Sequence, residues 1–382
     1  MRIRQRIKGM DKWLLLAVGV LTFIGLLGIA SATRVNQGEY IELIKQIIFV
    51  VLGCGIMVCT ALINFTSIDD SLRNILAVVL YVLIIISLVI VLVLGVSEGT
   101  SVRWIKIGPV GVQPSEFAKI GLILITASGL DMIGDYINIP AYLLITLGLA
   151  AIPIGLVFLE PNLSTTIIMC VVLFVQLFTA DLDYRYILIA IAIGIPMVIG
   201  VFFYAKLTVG TDGLLKNYQK KRILALVYPE EYKQDEAYQT KMGIQAVGSG
   251  RIFGKGLFNG ILNKSDYVPE PHTDFILAVI GEEFGFVGTF IILMCYLLIA
   301  YRGLMLLHNA NDTFIRQTII GIVTLFLFQT FINIGVVTGL LPNTGVTLPF
   351  VSAGGSSYIA NMISIGILLN IDLKMKSGYK FR

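Results

Sequence analysis

The sequence predicts an all-α integral membrane protein of about ten transmembrane helices, with one long extracytoplasmic loop between helices 7 and 8. Of its 382 residues, 57% are hydrophobic and only 14% are charged, and the mean hydropathy is +0.88. These values exclude an ordinary soluble domain, in which about a quarter of the residues are charged. The apolar stretches have roughly the 20 residues that a helix needs to cross a bilayer, and a helix satisfies its own backbone hydrogen bonds in lipid.

The expected helices follow one another along the whole chain. We place them at approximately residues 13–33, 41–63, 74–95, 115–130, 139–159, 162–180, 184–205, 274–301, 314–340 and 354–373. Residues 206–273 alone have the composition of a soluble segment, and we assign them to the long loop. Because we find neither an internal repeat nor a low-complexity linker, we expect residues 1–382 to form one multi-spanning membrane domain.

The positions of Lys and Arg predict that both termini lie in the cytoplasm. This orientation places 13 of the 28 Lys and Arg on the cytoplasmic side, many of them in residues 2–12 and 374–382. The short outer segments then carry 5, and the other 10 lie in the long loop, which the positive-inside rule does not count. The net charge of +4 gives no reason to expect a nucleic-acid partner.

Two segments and the cysteines have alternative interpretations. The basic start and Ala30-Ser31-Ala32 are similar to a cleavable signal, but an apolar run of about 17 residues favours an uncleaved first helix. Residues 214–228 mix basic and apolar side chains, so they could lie on the membrane surface or pack as a loop helix on the protein. The four cysteines lie in apolar spans and are expected to be buried thiols.

The first candidate for a chemical role is Asp274, where a polar loop becomes a long apolar helix. A carboxylate at such a boundary is partly desolvated yet reachable by a polar head group, so it can act as a general base on a lipid-anchored substrate. Asp274 with Thr273 could instead cap the helix. A cap needs one short polar residue, whereas His272, Glu282 and Glu283 also lie at this helix entrance, which favours a functional site.

A second polar pair lies in a predicted membrane helix. Glu116 and Lys119 are three residues apart on one helix face, and Pro114 occupies a likely first helical position. An ion pair would neutralise two charges that lipid tolerates poorly alone. A role in contacting the substrate explains the pair equally well.

Glycine-rich and proline-containing segments give weaker signals. Glycines flank Arg251 and Lys255 in residues 248–256, which would let backbone amides and two cations approach an anion. The segment is not a Walker A motif, and it could need glycine only for its backbone angles. At residues 160–166, helix capping explains most of the pattern, and a turn with a cap would also explain residues 342–357.

Four separated stretches together resemble one known family. In chain order they are Arg103-Trp104-Ile105 leading to Gln113-Pro114-Ser115-Glu116 and Lys119, Gly248-Ser249-Gly250 with Gly254-Lys255-Gly256, Pro271-His272-Thr273-Asp274-Phe275-Ile276 with Gly281-Glu282-Glu283, and Leu348-Pro349-Phe350 with Gly354-Gly355-Ser356-Ser357. The chain resembles the SEDS family (shape, elongation, division and sporulation) of cell-wall glycosyltransferases, which includes RodA and FtsW. Residues 267–272 look more like RodA. The pattern departs at Asn162, Arg251 and Ala353, where the family commonly has aspartate, glycine and tyrosine.

The resemblance implies a bacterial cytoplasmic-membrane enzyme that polymerises lipid II, the undecaprenyl-pyrophosphate-linked disaccharide peptide, on the outer face. It implies that Asp274 is catalytic, since this residue matches the family's essential aspartate. A carboxylate that takes the proton of the acceptor hydroxyl can supply roughly 10²- to 10⁴-fold. We expect the following residues to bind the substrate: Arg103, Glu116, Lys119, Arg251, Lys255, His272, Thr273, Ser356 and Ser357.

Cofactor, partner and alternative functions follow from the same considerations. The departing pyrophosphate needs cations, which Arg103, Arg251, Lys255 or a divalent ion such as Mg²⁺ or Mn²⁺ could supply. The resemblance implies a class B penicillin-binding protein, a transpeptidase, as partner.

Intramembrane ionisable residues would also suit a lipid II transporter. A non-catalytic scaffold for the transpeptidase is a third possibility.

Overall fold

The computed structural model describes residues 3–33, 40–63, 69–98, 101–108, 110–232, 236–261 and 271–376. It confirms the predicted fold class. The helices are α1 (Ile3–Gly9), α2 (Lys12–Thr33), α3 (Ile41–Leu62), α4 (Asp70–Leu94), α5 (Pro114–Ile133), α6 (Pro140–Leu159), α7 (Leu163–Phe178), α8 (Tyr184–Leu207), α9 (Asn217–Val227), α10 (Glu236–Ser249), α11 (Ile276–His308), α12 (Thr313–Val337) and α13 (Gly355–Lys376), with a 3-10 helix at Gly134–Asn138.

The membrane-crossing helices agree with the predicted spans to within a few residues, except that α11 runs on to His308. In the described residues, nine helices are long and apolar enough to cross a membrane, and the apolar α7 is shorter, with 16 residues. Helices α9 and α10 lie in the predicted long loop. The part of that loop at residues 262–270, which includes most of the RodA-like stretch, lies outside the described residues.

A small antiparallel sheet interrupts the otherwise helical chain. Strands β1 (Val96–Glu98), β2 (Ser101–Ile107) and β3 (Val110–Val112) pair in the order β1-β2-β3 between α4 and α5. Gln113, which follows β3, donates its backbone N–H to Ser356 Oγ at 3.0 Å. The sheet therefore lies at the end of the bundle where α13 begins, which we call the loop end.

Ion pairs cluster at the opposite end of the bundle. Arg302 Nε lies 2.6 Å from Asp11 Oδ2, and Lys376 Nζ lies 2.6 Å from Asp372 Oδ2. Lys376 also donates to the carbonyl of Gly9. Arg73 bridges Asp131 and Asp312 at 2.7 and 2.8 Å. Charged side chains that lipid would exclude are thus paired with one another at this end.

Hydropathy separates the helices at the centre of the bundle from those at its surface. The central α13 has a mean hydropathy of only 1.3 in its most apolar window, and 89% of that window is buried. By contrast, α4 reaches 3.5 with 28% buried, and none of the corresponding window of α8 is buried. Central helices can carry polar residues because protein rather than lipid surrounds them.

The expectation of buried cysteines holds only for Cys295, since the other three cysteines lie at the exposed surface.

Helix α9 packs on the protein, which decides between the two interpretations of residues 214–228. Lys220 is fully buried and donates to the carbonyls of Thr208 and Thr211, both at 2.9 Å. Gln219 donates to the carbonyl of Pro161 at 2.9 Å. Hydrogen bonds from Lys220 and Gln219 to backbone carbonyls therefore anchor α9 to the rest of the protein.

Helix α11 is broken at Gly285, where φ is +65° and ψ is −156°. The segment of residues 251–256 supplies the missing backbone partners. Lys255 N–H donates to the carbonyl of Glu282 at 3.0 Å and Gly256 N–H to that of Glu283 at 2.9 Å, while Phe286 N–H donates to the carbonyl of Arg251 at 2.9 Å. A break in a membrane helix is tolerated when neighbouring groups satisfy the freed backbone.

Gly285→Ala should destabilise the protein. Its positive φ is unfavourable for alanine, and a Cβ there would lie 2.4 Å from the Gly254 nitrogen. The expected loss is roughly 2 kcal/mol or more, measured as a lower midpoint of thermal unfolding in detergent. Gly148→Ala in α6 is the control, because a Cβ there meets nothing within 4 Å. Equal midpoints for the two variants would contradict the proposed need for glycine at the break.

Candidate active site

A cavity of about 470 Å³ opens at the loop end of the bundle. Its size lies within the usual range for ligand-binding clefts, roughly 300–1,000 Å³. The walls come from α3, β2, α5, α7, α12, the start of α13, the turn before α11 and the segment between α12 and α13. Eight of the ten predicted site residues line it, namely Arg103, Glu116, Lys119, His272, Thr273, Asp274, Ser356 and Ser357.

Asp274 lies in a turn whose backbone is fixed from two directions. Asn333 of α12 donates from Nδ2 to the carbonyls of Asp274, at 2.9 Å, and Val346, at 2.8 Å. Ser352 Oγ donates to the carbonyl of Thr273 at 2.7 Å, and Ala353 N–H donates to that of His272 at 2.9 Å. The carboxyl group of Asp274 is therefore carried on a rigid support at the cavity wall.

The N-cap position of α11 belongs to Phe275, so Asp274 lies one residue before the cap. Asp274 approaches Gly345 of the segment between α12 and α13, where an added Cβ would lie 3.3 Å from Asp274 Oδ2. A side chain at this position would therefore be in tight contact with the carboxylate.

Glu116 and Lys119 form the predicted ion pair at the inner part of the cavity. Lys119 Nζ lies 2.9 Å from Glu116 Oε2, and the two side chains are 2% and 9% exposed. Both residues also line the cavity, so the two interpretations of the pair, structural and substrate-contacting, are compatible. Removing one partner would leave an uncompensated buried charge, which is strongly unfavourable.

The two serines at the start of α13 hold neighbouring segments at the cavity wall. Ser356 Oγ accepts from Gln113 N–H and donates to the carbonyl of Gly111 at 3.4 Å. The hydroxyls of Ser357 and Thr347 lie 3.1 Å apart. These serines therefore have structural partners within the protein as well as a place in the cavity.

Asn162 caps α7 as expected, by accepting from Thr165 N–H at 3.4 Å.

Arg103 joins the sheet to the turn between α6 and α7. It donates to the carbonyls of Glu160, at 3.2 Å from Nε, and Pro161, and to the hydroxyl of Tyr218 at 2.9 Å. Burial lowers the pKa of the Arg103 guanidinium, Tyr218 raises it, and the guanidinium of Arg222 nearby lowers it again. Two guanidinium groups close together create a positive region that favours an anion.

Arg251 and Lys255 lie outside the cavity lining. Lys255 Nζ lies 2.6 Å from Glu282 Oε1, and the loop backbone bonds to the broken turn of α11. Glu283 accepts from the hydroxyl of Ser31. The structure therefore gives this glycine-rich segment a structural role, and anion binding by Arg251 and Lys255 stays a prediction.

Sequence reasoning missed several residues of the cavity. Glu42 and Lys45 of α3 pair at 2.6 Å and are about half-exposed, while Gln46 accepts from Gly354 N–H at 3.1 Å. Gln329 of α12 also lines the wall. A glutamine within an apolar membrane helix is a signal that could have identified Gln329, since polar residues there usually face the bundle interior. The residues of α3 carry no such signal because they lie near a helix end.

A metal site built from the protein alone is not visible in the described part of the chain. There, no group of three or more His, Cys, Asp and Glu side chains is arranged to hold a metal ion. The expectation of a divalent cation therefore depends on donors that the substrate would contribute.

Glu160 gives a pH-dependent prediction. Its side chain is fully buried, and neither carboxyl oxygen has a hydrogen-bond partner among the described residues. Burial raises the pKa of Glu160 from 4.5 to about 8, against the opposing effect of Arg103. Between these values the folded state holds a proton that the unfolded chain releases, so stability falls as the pH rises through this window.

Glu160→Gln should remove this pH dependence, because the amide is uncharged and similar in shape. We expect its unfolding midpoint to exceed that of the unmodified protein more at about pH 8.5 than at about pH 5. Thermal unfolding in detergent across this range measures the difference. A gap of the same size at both pH values would contradict the assignment of a neutral, buried Glu160.

Comparison with known proteins gives one family over nearly the whole chain. Residues 10–377 match the family model described as cell cycle protein, of the FtsW, RodA and SpoVE type. A probable peptidoglycan glycosyltransferase FtsW of Trichlorobacter lovleyi is 35% identical, with 97% of this chain and 95% of the relative covered. The peptidoglycan glycosyltransferase MrdB of Escherichia coli strain K12 is 34% identical, with 96% and 94% covered.

Solved structures agree with this assignment. One, described as the structural coordination of polymerization and crosslinking by a peptidoglycan synthase complex, has a TM-score of 0.79 at 26% identity, covering 97% of this chain and 99% of the other. The rod shape determining protein RodA of Thermus thermophilus has a TM-score of 0.66 at 26% identity, covering 97% and 98%. Because FtsW and MrdB relatives are almost equally similar, the closer likeness to RodA stays a prediction. The chain belongs to the FtsW, RodA and SpoVE family of cell cycle proteins, the SEDS family.

Proposed function

We propose that this protein is a peptidoglycan glycosyltransferase that polymerises lipid II into glycan strands for cell-wall synthesis. The observation that carries the proposal is a carboxylate, Asp274, held at the wall of a polar cavity at the loop end of a membrane bundle. The relatives that are named peptidoglycan glycosyltransferases support the reaction class. The cavity's position suits a substrate whose lipid stays in the membrane while its sugars react outside it.

In the proposed reaction, Asp274 acts as general base. It takes the proton of the acceptor 4-hydroxyl as that oxygen attacks the anomeric carbon of the growing strand. The new glycosidic bond forms as the bond to undecaprenyl pyrophosphate breaks, and the pyrophosphate leaves with the bonding electrons. A single displacement inverts the configuration at the anomeric carbon. The backbone hydrogen bonds at Asp274 support this role, because they fix the base before the substrate arrives.

Positive groups near the cavity suit the departing pyrophosphate. Arg103 lines the cavity and lies close to Arg222, whereas Lys45, which also lines it, is paired with Glu42. Negative charge develops on the leaving oxygen, so fixed cations stabilise the transition state more than the ground state. Glu116 and Lys119 neutralise each other and shape the inner part of the cavity.

A divalent cation such as Mg²⁺ or Mn²⁺ remains part of the proposal. Mg²⁺ is usually bound by one or two carboxylates together with substrate phosphates rather than by a complete protein cage. The pyrophosphate would supply the phosphate oxygens of such a set, and the ion would offset negative charge on the leaving group.

The orientation and the partner are also proposed. Both termini would lie in the cytoplasm, and the cavity would open on the outer face of a bacterial cytoplasmic membrane, as the excess of Lys and Arg at the termini favours. A class B penicillin-binding protein would crosslink the strands that this protein makes. The similarity to a peptidoglycan synthase complex, described as coordinating polymerization and crosslinking, supports such a partner.

Asp274→Asn should lower lipid II polymerisation by about 100-fold or more, since it removes the general base but keeps the shape of the side chain. The measurement is glycan synthesis by purified protein in detergent, where a transporter has no membrane to cross. Asp212→Asn is the matched control, because Asp212 lies exposed in the long loop outside the cavity lining, where it pairs with Lys216 and accepts from Asn217 N–H. Unchanged polymerisation by Asp274→Asn would refute the proposed catalytic role.

Gly345→Ala should reduce polymerisation by about tenfold or more, because its φ is +71° and the added methyl group would press on Asp274. Gly134→Ala is the matched control. Gly134 also has a positive φ, +53°, but a Cβ there meets nothing within 4 Å. Both variants therefore carry backbone strain, and only Gly345→Ala disturbs the carboxylate. If the two variants lost activity equally, crowding at Asp274 would not be the cause.

A further inference from the structure

The most informative feature that the proposed reaction leaves unused is the amide of Gln329. This side chain lines the cavity, yet the residue is only 1% exposed. Its amide oxygen is buried and has no hydrogen-bond partner in the part of the chain that the structure describes. A buried polar group without a partner is unfavourable by roughly 1–3 kcal/mol, so its presence at a cavity wall points to a ligand that completes it.

The position of Gln329 relates it directly to Asp274. It lies four residues before Asn333 on α12, and Asn333 donates to the carbonyls of Asp274 and Val346. Residues four apart lie on the same helix face, about 6 Å apart along the axis. Gln329 is therefore one turn further into the bundle than the level at which Asp274 is fixed. A sugar whose hydroxyl faces Asp274 would extend its ring substituents towards this level.

Comparison with another buried glutamine shows what is particular to Gln329. Gln176 is also buried, and its amide oxygen likewise has no hydrogen-bond partner among the described residues. Its Nε2 nevertheless donates to the carbonyls of Ile123 and Gln317, both at 3.1 Å, which ties α7 to α5 and α12. Gln176 lies outside the cavity lining, whereas Gln329 lines the cavity, so a bound ligand can reach the amide of Gln329 and not that of Gln176.

We propose that Gln329 determines specificity by hydrogen-bonding the acetamido group of the acceptor sugar, the sugar whose hydroxyl is activated by Asp274. A primary amide offers two N–H donors and one carbonyl acceptor. The N–H and the carbonyl of a trans acetamido group point in opposite directions, so its N–H can donate to Gln329 Oε1 while its carbonyl points away. A charged side chain would not be needed, because the ligand group is neutral. This inference rests on the proposed function and specifies which part of the substrate the inner wall recognises.

The test compares two ligands and three variants. The ligands are lipid II and an analogue in which a hydrogen atom replaces the acetamido group of the terminal sugar. The variants are Gln329→Leu, Gln329→Met and the control Gln176→Leu. Equilibrium binding of each ligand is measured in detergent, together with polymerisation and the unfolding midpoint of each protein.

The unmodified protein should bind lipid II about tenfold more tightly than the analogue, since a site built to hydrogen-bond a group rejects a ligand lacking it. Gln329→Leu and Gln329→Met should lose this preference. Their unfolding midpoints should stay equal or rise, because each replaces an unpartnered buried polar group by an apolar one. Gln176→Leu should keep the preference and unfold at a lower temperature, because it breaks two hydrogen bonds.

Two results would overturn the inference. The first is an unexpected ligand preference: either the Gln329 variants still prefer lipid II to the analogue, or the unmodified protein does not prefer it. The other is an equal loss of affinity for both ligands with a lower unfolding midpoint, which would indicate a structural role. If the unmodified protein binds lipid II with this preference but does not polymerise it, the proposed function fails, and binding still decides the role of Gln329.

Discussion

The site depends on the hydrogen bonds that join three separate segments behind Asp274. Asn333 connects α12 to the turn of residues 271–275 and to Val346, and Ser352 connects that turn to the segment before α13. These bonds involve the backbone carbonyls of the turn, and Asp274 itself lines the cavity. A catalytic group needs this kind of support, because small displacements cost large factors in rate.

The broken helix α11 gives a second constraint on the same region. Its first nine residues, up to the break at Gly285, would not be held without the backbone bonds from residues 251–256. Gly250 and Gly254 allow this close approach, since a Cβ at either position would lie within about 2.1 Å of a carbonyl of α11. The glycines that look like a phosphate-binding loop in the sequence thus have a different physical role. They let one chain segment replace the missing helical partners of another.

Much of this arrangement could be predicted from the sequence. Hydropathy located the membrane helices because lipid imposes a length and a composition on each. The residues at Asp274 and the pair of Glu116 and Lys119 were identified because charged groups are rare near apolar runs. The break at Gly285 was not predicted, since it depends on backbone partners in residues 251–256. The sheet before α5 was not predicted either, although its strands pair locally within residues 96–112. The same holds for Arg222, whose proximity to Arg103 arises from the packing of α9.

The charges of the cavity are arranged in a way that suits a lipid-linked sugar. Lys45 lies half-exposed at the rim, and Arg103 lies at the junction with the sheet and α9, whereas Glu116 and Lys119 are buried and neutralise each other. Because Lys45 is paired with Glu42, the positive charge comes from Arg103 with the nearby Arg222, and the interior presents neutral hydrogen-bonding groups. A pyrophosphate, which carries its charge next to the lipid, would be drawn to the two guanidinium groups. An uncharged saccharide would be accommodated by the neutral interior. Because Asp274 lines the same cavity, one bound substrate can meet the guanidinium groups, the carboxylate and the polar interior together.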